Sequence, residues 1–179
     1  MKILPLLLAL SLSVPAVAQE GPVATGGTER LKETAEALRN REALAYAQSL
    51  PPGAPTDDYS LVAWCEALVA GHVEVGESLN STDELDLELI RLGRVERDSF
   101  AHALRVAESR QTPARRQAAA AARARASALW DRFRTAEPAV RDNAFGLFFG
   151  LPGRCEHAAR RIRENVTTPP ATLPTAPGA

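Results

Sequence analysis

From Asp58 to Leu79 the chain reads DYSLVAWCEALVAGHVEVGESL. Leu61, Cys65, Leu68, His72, Val75 and Leu79 recur at steps of three and four. This puts them on one stripe of a helix, with Glu66 and Glu77 on the opposite side. Val62, Val69 and Val73 widen the apolar surface beyond one stripe, the pattern of a helix touched by several neighbours. Such a helix has to be surrounded, and the remaining segments must supply what surrounds it.

The other segments read as helices separated by proline and glycine. Thr28 caps a helix running to about Ser49, with Leu31, Ala35, Leu38 and Ala45 inward, and the run Pro51 to Pro55 stops it. Asp57 or Asp58 caps the central helix, and Asn80 to Thr82 ends it. Ser81 and Glu84 have capping-box spacing and open a third helix to about Arg110. Its bundle-like seam is Leu85, Leu89, Leu92, Glu96, Ser99, Ala103 and Val106, with Phe100 and Leu104 as a second flank. Thr112-Pro113 starts an alanine-rich helix that turns apolar at Ala126, Leu129, Trp130 and Phe133. Pro138 opens a shorter helix ending in a phenylalanine-rich run, and a last helix reaches about Asn165 with Cys155, Ala158, Ala159 and Ile162 inward. No segment alternates like a strand, and no repeat of solenoid period occurs. The expectation is an all-α, single-domain bundle of five or six helices over residues 28–165.

Both ends differ from this domain. Lys2, the apolar run Ile3 to Leu12 and the small residues Ala16-Val17-Ala18 form a secretory signal peptide, residues 1–18, with cleavage after Ala18. Residues 19–27 are a flexible lead-in, and the proline- and threonine-rich residues 166–179 are expected to be disordered and dispensable for folding. An exported chain with two cysteines pairs them, so a Cys65–Cys155 disulfide is expected. In an up-down bundle the second and sixth helices run in the same direction, which places both cysteines near one end.

Charge is segregated. Gln19 to Asp98 holds 16 acidic and 7 basic residues, and Ser99 to Ala179 holds 13 basic and 6 acidic. Acidic and basic helices that pack side by side neutralise one another, so this pattern predicts no nucleic-acid surface. The leader's apolar run is too short to span a bilayer, and no later stretch is long and uncharged enough, so no stable membrane insertion is expected after cleavage.

Motifs for the commoner chemistries are missing: no CxxCH, no HExxH, no glycine-rich phosphate loop and no Gly-x-Ser-x-Gly elbow. None of His72, His102 and His157 has an acid three residues before it, as di-metal bundles require. No catalytic residue, metal or cofactor is therefore expected. His72 reads as a buried neutral ring bonded to a carboxylate or carbonyl, with a metal or axial ligand as the alternative role. Glu96 is a candidate partner for it, although a tight hairpin brings Gly93 closer. Asp98 and His102 read as a local surface pair, and Glu156-His157 with Arg160 and Arg161 as solvated surface. Phe145, Phe148 and Phe149 read first as core filling.

The function expected from this is a non-enzymatic protein-binding or structural module of the cell envelope, periplasmic or secreted, whose partner is another envelope protein. The alternative is a carrier of a small ligand or cofactor, with a pocket near His72, Trp64, Phe145, Phe148 and Phe149.

Overall fold

The computed structural model describes residues 34–148 and 150–173. The leader, the lead-in, Thr28, Leu31, Phe149 and the last six residues of the tail lie outside the described residues. Seven α-helical segments occur among the described residues, one of them a single turn: α1 (Ala35–Ala47), α2 (Asp58–Ser78), α3 (Glu84–Ala107), α4 (Pro113–Ala128), α5 (Asp131–Arg134), α6 (Pro138–Gly146) and α7 (Arg154–Arg163). Together they form the expected all-α bundle.

The caps explain most boundaries. The Asp57 side chain accepts from the Ser60 N–H and starts α2, while Thr112 accepts from the Arg115 N–H ahead of Pro113 in α4. Asn80 takes a left-handed φ of 52° and ends the α2 segment. Two starts differ from expectation. Thr34, not Thr28, caps α1 through the Ala37 N–H. Asp83 rather than Ser81 caps α3, because its carboxylate reaches the Leu85 and Asp86 N–H groups, while the Ser81 hydroxyl accepts from the Asp83 N–H.

The apolar breadth of α2 has the expected consequence. Buried residues run from Tyr59 to Gly76, and α3, α4, α6 and α7 all pack on α2. Three glycines make that close packing possible. A Cβ on Gly71 would lie 2.1 Å from Trp130 Cδ1, one on Gly76 2.4 Å from Phe145 Cε2, and one on Gly93 2.7 Å from Val73 Cγ2. Neighbouring side chains occupy the space that a larger residue would need.

Gly93 shows how α3 differs from the expected seam. Its buried face is Ile90, Gly93, Phe100, Ala103, Leu104 and Ala107. The flank of Phe100 and Leu104 thus points inward, while Leu85, Leu89 and Leu92 of the seam are exposed. A small residue helps decide the orientation: Gly93 lets α3 approach Val73 of α2 more closely than a leucine would allow. The inward face of α1 also differs, with Glu42, Ala43 and Ala45 buried while Ala35 is exposed.

Cys65 and Cys155 are joined, with Cα atoms 6.2 Å apart. The expected parallel arrangement of the two helices is wrong, although the bond is right. Arg161, one and a half turns after Cys155, bonds Asp58, two turns before Cys65, so α7 runs antiparallel to α2. Helix α6 runs against α2 as the up-down count requires, with Arg141 bonded to Ser78 and Phe145 at His72, so the alternation breaks between α6 and α7.

Two bonds reach into the stretch expected to be disordered. Arg161 donates Nη2–H to the Thr168 carbonyl, and the Ala171 N–H donates to Glu42 Oε1 at 3.3 Å. Thr168 therefore lies against α7 and Ala171 against α1. Proline removes backbone donors but leaves carbonyls, and a carbonyl is what a buried guanidinium needs.

Candidate functional site

His72 sits on the inner stripe of α2, next to the C-terminal turn of α6. The last carbonyls of a helix lack intrahelical donors. His72 Nε2 lies 3.1 Å from the Phe145 carbonyl, which can only accept, so this nitrogen carries the proton. The Phe145 and Phe148 rings each stack on the imidazole with centroids 4.5 Å away, and Trp130 tilts in at 6.1 Å. Nδ1 abuts the space beside Gly93. Burial lowers the His72 pKa below its ordinary value, and the bond to the Phe145 carbonyl acts in the opposite direction. The ring is neutral, enclosed and hydrogen-bonded to a carbonyl, with Gly93 rather than Glu96 beside it.

Of the residues singled out in the sequence, His72, Phe145 and Phe148 come together. Trp64 is buried two turns earlier on α2, about 12 Å along the axis, outside this aromatic group. Phe149 lies outside the described residues. Trp130 and Phe133 belong to the cluster, and sequence reading treated them only as the apolar end of a helix. Their signal was an aromatic pair three residues apart just before Pro138, where the chain must turn back.

The cluster reaches the surface. Two adjoining grooves share Trp130, Phe133 and Phe148: one of about 450 Å³ that includes Leu68, Leu129 and Arg132, and one of about 460 Å³ that includes Val140, Asn143 and Leu147. Leu129, Val140 and Leu147 are each about half exposed, at 55%, 49% and 59%. The Arg132 guanidinium lies 4.5 Å over the Phe133 ring. Apolar groups gathered at one corner, rather than scattered, are what mark an interaction surface.

At the other end of α2, His157 and Arg161 of α7 are buried and Arg160 is half-buried, contrary to the solvated surface expected of them, while Glu156 is exposed as expected. Arg161 is 5% exposed and donates Nη1–H to Glu42 at 2.8 Å and Nε–H to Asp58 at 3.0 Å. Arg160 donates to the other Glu42 oxygen. Tyr46 donates its hydroxyl to Asp58 at 2.7 Å, and burial followed by that bond pushes its pKa far up. His157 is buried too, and burial lowers its pKa. A mixed-charge cleft of about 460 Å³ adjoins this network, lined by Asp57, Asp58, Arg110, Arg115 and Arg161 among others. Arg161 uses Nε, Nη1 and Nη2 within the protein, so the network clamps α1, α2, α7 and the tail together.

The charge halves meet as ion pairs: Arg123 with Glu66 at 3.1 Å, Arg134 with Glu74 at 3.0 Å, and the Glu42 and Asp58 pairs above. Asp98 pairs with Arg97, not with His102. Among the described residues no group of three or more His, Cys, Asp or Glu could hold a metal ion, and no helix is long and apolar enough to cross a membrane. Comparison with protein-family models, curated proteins and solved structures finds no match.

Proposed function

We propose that the protein is an exported, non-enzymatic docking module of the cell envelope, which binds another envelope protein through the corner formed by α4, α5 and α6. One observation carries this reading. The space around His72 is filled by Phe145, Phe148 and Trp130, whereas Leu129, Val140 and Leu147 surround an open apolar surface. Binding outside the bundle is therefore favoured over binding inside it. Trp130, Phe133 and Phe148 are of the residue types that anchor interfaces, and their rigidity lowers the ordering cost. The ion pairs between the two charge halves support a partner other than nucleic acid. Export follows from the leader in the sequence, and a buried disulfide suits an oxidising compartment.

The test is retrieval of partners from envelope extract by the mature chain, alongside Val140→Glu and Leu147→Glu variants of unchanged thermal midpoint. A protein retained by the parent and lost from both variants supports the docking surface. Equal retention by all three rejects it. The surface grooves are also of a size used by small ligands. An intact mass of natively purified protein carrying a bound apolar compound would replace the docking reading with the carrier.

A further inference from the structure

A second exposed apolar face lies on α3, away from the aromatic corner. Leu85, Leu89 and Leu92 follow one another at steps of four and three and are 66%, 37% and 48% exposed, with Val95 beside them at 59%. The same seam continues through Ser99, which is exposed, into Ala103, which is fully buried, and ends at Val106, which is 38% exposed. The difference between the two halves is α7. It packs along the C-terminal part of α3, with Arg110 bonded to the Ile162 carbonyl near its far end and Glu156 of its first turn acting on Glu96. At 1.5 Å per residue, α7 is about 15 Å long and α3 about 36 Å. Helix α7 thus covers the seam at Ala103 and leaves its edge at Ser99 and Val106 open, while Leu85, Leu89 and Leu92 lie bare where α7 has not yet begun.

The surroundings of the bare half are acidic. Arg91 and Arg94 are already paired with Glu88 and Glu77. Glu84 and Asp86 remain at the start of α3, and at the boundary with α7 Glu96 faces Glu156. Loss of solvent and then the Glu156 carboxylate push the Glu96 carboxyl upward. Two like charges at the end of an apolar seam are a place where a cation from outside would be stabilised.

We propose that the bare half of the α3 seam docks a basic amphipathic helix of a partner protein, laid end to end with α7, with its leucine-type side chains on Leu85, Leu89 and Leu92 and a Lys or Arg between Glu96 and Glu156. Helix-in-groove docking uses this spacing of anchors. The acidic rim disfavours an anionic lipid surface. A second copy of the chain is disfavoured in two registers: antiparallel pairing of two α3 seams about Leu92 sets each Leu89 against Glu96, and parallel pairing stacks Glu96 on Glu96, each burying a carboxylate without a partner. Antiparallel pairing about Leu89 matches Leu85 with Leu92, and sedimentation distinguishes that dimer.

The test uses the full mature chain and three labelled synthetic peptides. One is a helix of about two heptads with leucines at the a and d positions and flanking lysines. The second has the same composition with the leucines moved off one face, and the third has glutamates for the lysines. Fluorescence anisotropy should show binding of the first peptide alone, weakened several-fold between about 50 and 500 mM salt. Leu89→Glu and Leu92→Glu should weaken it about tenfold or more, with thermal midpoints unchanged because both leucines are exposed, and Glu96→Gln several-fold, with a midpoint no lower than the parent's because it removes a like charge from beside Glu156. No binding of the first peptide, equal binding of the scrambled one, or undiminished binding to Leu89→Glu would overturn the proposal. Sedimentation showing a dimer that Leu89→Glu dissociates would overturn it in favour of a second copy. None of these readouts involves Val140 or Leu147, so the aromatic corner stands or fails separately.

Discussion

Arg161 of α7 and Glu42 of α1 form a buried ion pair, Nη1 to Oε1 at 2.8 Å, where α1, α7 and residues 166–173 converge. Helix α1 brings little apolar burial to this meeting, only Ala43 and Ala45 beside Glu42. Its attachment is therefore electrostatic, and breaking one partner of a buried pair strands the other charge. The Thr168 carbonyl and the Ala171 N–H complete the hydrogen bonding of that pair.

Truncation of the tail is thus expected to matter in its first half. A chain ending at Asn165 loses both of those bonds and should lose about 1–3 kcal/mol, a fall of several degrees in thermal midpoint. A chain ending at Leu173 keeps them and should match the parent. Equal midpoints for all three chains would show that residues 166–173 do not hold α1.

The glycines of α2 and α6 should separate sharply. Gly71→Ala places a methyl where Trp130 lies and should cost about 1–3 kcal/mol or more by overpacking. It should also shift the tryptophan emission. Gly146→Ala meets nothing within 4 Å and should be neutral or stabilising by up to about 1 kcal/mol. Urea denaturation of both variants measures the contrast.

Protonation of His72 and His157 should weaken the fold. Burial lowers both folded-state values, so as pH falls the unfolded chain takes up protons first. Their contribution to stability is complete above the unfolded value of about 6.5 and is lost as pH falls from there toward the lowered folded values. Thermal midpoints should decline from about pH 7 to about pH 5.5, and His72→Gln, which keeps a donor but does not titrate, should flatten the decline. An unchanged slope in that variant would remove His72 from the effect.

Replacing both cysteines by serine opens a loop of 90 residues, for which chain entropy gives roughly 4–5 kcal/mol as an upper figure. Because the bond pins the short α7 to α2, hydrogen exchange in α7 and α1 should accelerate before that in α2. Uniform acceleration would show that α7 is held by its packing alone.

What the sequence made legible was local or compositional. The breadth of apolar residues around α2, the Asp57 and Thr112 caps and the compartment argument for Cys65–Cys155 all need only neighbours or counts. The face of α3 was not legible that way. Leucine periodicity points to Leu85, Leu89 and Leu92, while the close approach at Gly93 turns the other face inward. Hydrophobicity cannot register a glycine as a contact. The direction of α7 is not legible because an up-down count takes every connection for a reversal, and nothing local shows that the one between α6 and α7 is not. Arg161 reads as solvated because its partners, Glu42 and Asp58, come from helices about a hundred residues away. The aromatic corner was half visible: the phenylalanines and His72 were singled out, but Trp130 joins them only through the three-dimensional turn after α4.

The central claim is that a protein partner covers the aromatic corner, and site-specific photo-crosslinking in the envelope tests it most directly. A photoreactive residue at Leu147 or Val140 should yield a discrete protein adduct, while one at Leu44, an exposed leucine on α1, should not. Adducts of equal yield from all three positions, or none from Leu147 and Val140, would contradict it.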